Sequence, residues 1–326
     1  MIPCRLTTPS HALLEVEPDA QERIRTLERP SETRPRHAGR AMSSPPERLR
    51  ALLDRGELLT MPCCFDALSA RLIEQAGFPL TFMSGFAVSA SRLAVPDTGL
   101  ISVAEMIDQG RDICQAVDIP VIGDGDTGHG NPANVWRTVE QFARAGFAGI
   151  MIEDQWMPKR CGHTGVKQVV ERDEAVRRVR AAVDARDAGA GLLVVARTDA
   201  RAARGLDEAL WRIQAFADLG ADVLFMEAPR DETEMRRCCA SAPGIHMANM
   251  LEDGITPILP PERLAALGYR IAAYPLTLLS SAALAMREAL AELAAGRTPA
   301  RRLPFAELRA LVGFDAYDAL VGRYED

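Results

Sequence analysis

From residue 48 onward, eight short apolar runs alternate with amphipathic stretches of ten to fifteen residues. The runs are Leu58–Pro62, Leu80–Ser84, Pro120–Asp124, Ala148–Glu153, Leu192–Arg197, Asp222–Glu227, Ile245–Asn249 and Arg270–Tyr274. Continuous apolar runs of this length suit strands buried on both faces, as in a parallel sheet. The amphipathic stretches, read as helices, begin near Asp66, Ser102, Asn131, Glu171, Gly205, Asp231, Pro260 and Pro275. Eight strand–helix units predict a (β/α)8 TIM-type barrel, an α/β fold of usually about 250 residues. An open doubly wound sheet would carry G-x-G-x-x-G after its first strand, and that string is missing here. The tail Phe305–Tyr324 reads as one or two extra C-terminal helices.

Residues 1–47 are rich in Pro, Arg, Ser and Glu and show no sustained apolar period. They are expected to form a poorly ordered extension ahead of a catalytic domain over 48–326, with Met42 an alternative start. Lys+Arg is 38 and Asp+Glu is 45, a net charge of −7, which argues against a nucleic-acid partner. Aromatics at 5% leave little for base stacking. No run of eighteen apolar residues offers a membrane span. The seven cysteines include the adjacent pairs Cys63–Cys64 and Cys238–Cys239, unlike a secreted disulfide framework, and no export signal is visible. A reduced, cytoplasmic protein acting on a small molecule is expected.

Barrel enzymes collect their chemistry at the C-terminal ends of the strands. Those ends here carry Asp66, Ser84 with Gly85, Asp124 with Asp126, Glu153 with Asp154, Arg197 with Asp199, Glu227, Asn249 and Tyr274. One Asp often does no more than cap the next helix. Glu, Arg and Tyr are poor caps, so polar groups after all eight strands predict an active-site rim. Asp124, Asp126 and Glu153 fall on adjacent strands and are expected to face a common space. Carboxylates without His or Cys partners suit a hard divalent ion such as Mg2+ or Mn2+, with part of the shell supplied by water. The turn Met83-Ser84-Gly85-Phe86 offers backbone N–H groups to a carboxylate or enolate oxygen.

Of the 38 basic residues only two are lysines, Lys159 and Lys167, and they bracket Lys159-Arg160-Cys161-Gly162-His163. Against 36 arginines, two lysines in one loop point to a need for a compact ammonium. A thiol beside Lys, Arg and His is expected to ionise more readily than a free one and to serve as an acid or base. A zinc site is excluded, since Cys-x-His provides two ligands and no second pair is suitably placed.

Together these segments resemble the isocitrate lyase/phosphoenolpyruvate mutase superfamily. The matching strings are Phe65–Ala70, Met83-Ser84-Gly85, Gly123–Gly128, Ile152–Gln155, Lys159–His163, Ala196–Ala200, Ala248-Asn249-Met250, Tyr274-Pro275-Leu276 and Phe305–Leu308. The likeness runs from about residue 48 to the end and is nearest to the branch of 2-methylisocitrate lyase, 2,3-dimethylmalate lyase, oxaloacetate acetylhydrolase and carboxyvinyl-carboxyphosphonate phosphorylmutase. It implies a Mg2+-dependent C–C lyase acting on a 2-hydroxy or 2-oxo di- or tricarboxylate. Phosphorylmutase and oxaloacetate-hydrolysing activities are the alternatives within the superfamily, and a non-catalytic ligand-binding barrel the alternative outside it.

The resemblance further implies that Asp124, Asp126 and Glu153 bind the metal, with Asp66 supporting its waters. Ser84, Gly85 and Phe86, with Phe82, Asp124, Arg160, Gly162 and Asn249, would surround the substrate. Arg197 would stabilise the enolate. Cys161 would protonate it, tuned by His163 and Arg160, with Lys159 and Glu227 completing the catalytic set. It also implies a homotetramer that exchanges the last barrel helix, around Leu276–Leu293. Phe82 stands where lyases often have Tyr, and His129 replaces an aromatic after Asp-Thr-Gly.

Overall fold

A computed structural model describes residues 43–159 and 168–325. Eight parallel strands close into a barrel in sequence order: β1 (Leu59–Cys64), β2 (Thr81–Met83), β3 (Val121–Asp124), β4 (Gly149–Glu153), β5 (Leu193–Thr198), β6 (Val223–Met226), β7 (Ile245–Asn249) and β8 (Tyr269–Tyr274). β8 returns to β1 through the register Leu59↔Ile271 to Pro62↔Tyr274. The strands fall where the apolar runs predicted them.

Helix α1 (Pro45–Leu53) precedes the barrel; α2 (Ala67–Gln75) follows β1, and the short α3 (Gly85–Val88) with a π-helical turn at Ser89–Leu93 and α4 (Val103–Ala116) follow β2. Then come α5 (Pro132–Ala145), α6 (Arg172–Ala185), α7 (Ala200–Arg204), α8 (Leu206–Asp218), α9 (Glu232–Ser241) and α10 (Pro261–Leu267). After β8 the chain continues as α11 (Thr277–Ala294), α12 (Phe305–Val312) and α13 (Phe314–Val321). Asp66, Ser102, Asn131 and Asp231 cap α2, α4, α5 and α9 with their side chains, which is why those residues mark the starts. No helix among the described residues is long and apolar enough to cross a membrane.

Helix α1 moves one expected boundary. Ser44 and Glu47 form a capping box around it, so a capped helix lies partly inside the segment expected to be extension. Leu49, Leu52 and Leu53 join the cluster inside the barrel and plug its N-terminal mouth. Residues 1–42, Met42 among them, lie outside the described residues.

The barrel interior has a period of two. Met61, Cys63, Phe82, Ile122, Met151, Val195, Phe225, Met247, Ile271 and Ala273 point inward and form one buried cluster. Their neighbours along the strands, such as Cys64, Met83, Ile150, Ile152, Val194, Ala196 and Met226, pack outward against the helices in a second cluster. Helix α11 breaks this pattern: none of its residues is buried, and Leu284, Met286, Leu290 and Leu293 are 55–63% exposed.

Candidate active site

The inward rows decide which polar residues meet. Stepping two residues beyond the apolar layer leads from Phe82 to Ser84, Ile122 to Asp124, Met151 to Glu153, Val195 to Arg197, Phe225 to Glu227 and Met247 to Asn249. All six line one cavity at the C-terminal mouth of the barrel, with about 650 Å3 of empty space including its open solvent. Phe82, Phe86, Phe225, Leu251 and Leu276 supply much of its apolar wall.

On one side carboxylates crowd an ammonium. Asp124 accepts from the amides of Gly85 (3.1 Å) and Asp126 (3.0 Å). Asp126 is drawn toward β4, because its carbonyl accepts from the amide of Glu153 at 2.9 Å. Lys159 Nζ lies 2.7 Å from Asp97 Oδ1 and pairs closely with Asp126 Oδ1. Burial alone would lower the pKa of this ammonium, but the charges of Asp126, Asp124, Asp97 and Glu153 override it and hold Lys159 well above the ordinary lysine range. Burial pushes the Asp126 carboxyl up, opposed by Lys159 and reinforced by Asp124 and Asp97. Burial likewise raises Glu153, opposed by Arg197. Burial takes His129 down to about 4, so at neutral pH its 3.9 Å approach to Asp126 is not an ion pair.

Opposite stands Arg197, whose Nε and Nη2 grip Asp199 at 2.9 and 3.0 Å. The same nitrogens reach Glu153 (3.3 Å) and Glu227 (3.1 Å). Burial works against this guanidinium, while Asp199, Glu227 and Glu153 hold its pKa well above the usual value. Asn249 Nδ2 donates to both oxygens of Glu227 at 3.3 Å.

The donor set fits a hard divalent cation. Asp97, Asp124, Asp126 and Glu153 share one nearby ammonium, and the buried Oε1 of Glu153 has no hydrogen-bond partner among the described residues. Among the described residues no three His, Cys, Asp or Glu side chains close on one point as a ready-made cage. Mg2+ keeps several of its own waters and needs only one or two protein carboxylates, which these acids can provide.

Several expected site residues take other positions. Asp66 is the N-cap of α2: its Oδ1 accepts from Ser69 N at 2.7 Å, and it does not line the cavity. Tyr274 and Asp154 have the outward parity; Tyr274 packs beside the β7–β8 cluster, and Asp154 faces the helical layer. Gly85 enters through its amide, which is engaged by Asp124, and not as a cavity-lining group. Arg160, Cys161, Gly162, His163 and Lys167 lie outside the described residues. Two polar lining residues, Asp97 and Gln155, were not among the expected site residues. The unusually long connection between β2 and α4, ending its descent in Val95-Pro96-Asp97, was the available signal for the first.

The sequence model of the phosphoenolpyruvate phosphomutase family matches residues 49–294. The chain belongs to this family. The 2,3-dimethylmalate lyase of Eubacterium barkeri is 40% identical over 272 residues, covering 82% of this chain and 94% of that protein. A solved oxaloacetate acetylhydrolase in complex with 3,3-difluorooxalacetate is 36% identical with a TM-score of 0.82, covering 87% of this chain and 98% of that one. A phosphonopyruvate hydrolase complex with oxalate and Mg2+ is 32% identical with a TM-score of 0.77, covering 87% and 100%. Membership of the isocitrate lyase/PEP mutase superfamily, implied by the motifs, therefore stands, and the chain is a lyase of that superfamily.

Proposed function

We propose that the chain is a Mg2+-dependent carbon–carbon lyase acting on a 2-hydroxy or 2-oxo dicarboxylate or tricarboxylate of the 2,3-dimethylmalate or 2-methylisocitrate type. The observation that carries this reading is one cavity that gathers the Asp124 and Glu153 carboxylates and Arg197, which reaches Glu153 at 3.3 Å, beside an apolar wall. Phe82, Phe86, Phe225 and Met247 suit alkyl substituents on the acid. Bound Mg2+, held by Asp124 and, partly through water, by Asp126 and Glu153, would polarise the substrate's 2-oxygen as a Lewis acid.

The chain's own groups do the rest. Arg197 meets the negative charge that develops as the C–C bond breaks, in a site dry enough to strengthen that contact. For a 2-hydroxy acid, the hydroxyl proton passes to a carboxylate of the site as the C–C bond breaks, so one fragment leaves as the 2-oxo acid and the other as an enolate. Glu227 and Asn249 orient the remaining polar groups. In this reading Cys161 delivers the proton that quenches the enolate, and His163, Arg160 and Lys159 tune it, as the sequence motif implies.

The functional particle in this proposal is a homotetramer exchanging α11. Its support is the face Met286, Leu290 and Leu293, with Leu284 on the other side of the helix, left uncovered by the chain's own barrel. Each such side chain contributes roughly 1.5–3 kcal/mol when removed from water. A cytoplasmic location belongs to the same reading, supported by the free state of Cys63, Cys64, Cys114, Cys238 and Cys239.

The test is incubation with Mg2+ and, separately, 2,3-dimethylmalate, 2-methylisocitrate, oxaloacetate and a phosphonate. A released 2-oxo acid from one of the first two is expected. Turnover confined to the phosphonate, or acetate release from oxaloacetate alone, overturns the assignment.

A further inference from the structure

Behind the site, outside the cavity, lies a fully buried ion pair. Arg212 of α8 places Nη1 3.0 Å from Asp154 Oδ2, and both side chains are at most 1% exposed. Burying such a pair costs desolvation that an apolar substitute would avoid, so stability alone is a poor reason for it. What Asp154 holds is more specific. Its Oδ2 accepts from Thr198 Oγ1 at 2.6 Å, and its Oδ1 accepts from the amide of Asp199 at 2.9 Å. Thr198 and Asp199 directly follow Arg197, and the Asp199 carboxylate accepts from Nε and Nη2 of the Arg197 guanidinium through both of its oxygens.

We propose that Asp154, held from behind by Arg212, is a positioning residue for Arg197. The inference rests on the reading of the cavity given above. Strand β4 then controls Arg197 from both of its faces: Glu153 touches it from inside the barrel, and Asp154 fixes the turn that carries its partner from outside. The same anchor reaches the segment bearing the other cation. Arg212 Nη2 donates to the carbonyl of Val170 at 2.8 Å, and the amide of Val170 donates to the carbonyl of Asp154 at 3.0 Å. Gln155 and Val169 pair as an antiparallel bridge, and Arg178 Nη1 holds the Gln155 carbonyl at 2.8 Å. Lys159 thus departs from a stem tied to the carboxylate that orients Arg197. A charged group aimed at a developing enolate needs placement to roughly 0.5 Å, which a lone surface-facing fork does not provide.

The Thr198 hydroxyl separates positioning from bulk stability. Thr198→Val keeps the shape and removes the donor to Asp154; Thr198→Ser keeps the donor and removes a methyl. Affinity for oxalate, a planar dianion resembling an enolate, is measured calorimetrically in Mg2+, with kcat, KM and melting temperature recorded for each variant. Thr198→Val is expected to weaken oxalate and lower kcat by about tenfold or more, while Thr198→Ser stays near the wild-type protein. Arg212→Lys, which keeps the charge but loses the fork, is expected to follow Thr198→Val. Equal oxalate affinity and kcat in the two Thr198 variants overturns the proposal. A wild-type protein that binds no oxalate in Mg2+ instead overturns the reading of the cavity, and this inference with it.

Discussion

The amide of Gly85 donates to Oδ2 of Asp124 at 3.1 Å, joining the turn after β2 to the end of β3. A Cβ on Gly85 would meet that same oxygen at 2.5 Å. The glycine is required by this close approach, since a side chain would push the Asp124 carboxylate off its place. Gly85→Ala is expected to keep its circular dichroism while its affinity for Mg2+, followed by Mn2+ competition, falls by about 10–100-fold. Unchanged metal affinity would separate the Gly85 contact from the metal.

Asp124 itself should be indispensable. Asp124→Ala removes the acceptor for two amides and a carboxylate of the cluster. Turnover is expected to vanish at any Mg2+ concentration with the barrel still folded. Chelation of the wild-type protein should give the same silence, reversed on adding Mg2+. Full activity of Asp124→Ala in saturating metal would remove Asp124 from the metal site.

The fold was legible because barrel strands buried on both faces leave continuous apolar runs that the order of residues exposes. Most of the site was legible for the same reason, since the rim residues follow directly on those runs. What sequence could not separate was inside from outside at the strand ends. Glu153 and Asp154 are adjacent carboxylates, yet one faces Arg197 and the other Arg212. Counting by two from Met151 resolves them, but only once the inward row is known. Asp66 shows the same ambiguity: Cys63 points in, and Asp66 stands off that row as a helix cap. Asp97 escaped because it lies on no strand end at all, but on a long connection whose course depends on the tertiary fold.

The proton-donor reading rests on one cysteine. Cys161→Ser is expected to lose most of its activity, because a serine hydroxyl is a far weaker acid than a thiol in a cationic segment. Iodoacetamide should inactivate the wild-type protein through Cys161, with substrate protecting. Burial raises the Cys63 thiol well above its ordinary value, and Cys238 is also buried and shifted upward, so neither is expected to compete for the reagent. Inactivation that maps to Cys63 or Cys238 while Cys161 stays unlabelled would displace the role.

The exposed row of α11 bears on assembly. Leu290 is 63% and Met286 59% exposed. Replacing both with Asp is expected to shift the particle, by light scattering, from a tetramer to a smaller species. A wild-type protein that runs as a monomer would end the exchange proposal outright.

Lys159 offers the sharpest test of the cation-rich segment. Its ammonium is 4% exposed and sits between Asp97 and Asp126, with Asp124 and Glu153 close enough to raise its pKa. An ammonium is compact and donates in any direction; a guanidinium is a wide planar fork. Part-buried Asp97 and buried Asp126 close on the first, and the wider second is expected to push them apart. Lys159→Arg is therefore expected to lower kcat by about tenfold or more despite the conserved charge. Asp97→Asn should act in the same direction more mildly, because Asp126 still holds the ammonium. Lys167→Arg is expected to cost less than Lys159→Arg. If the two arginine variants show the same kcat, the carboxylate pocket around Lys159 does not set the rate.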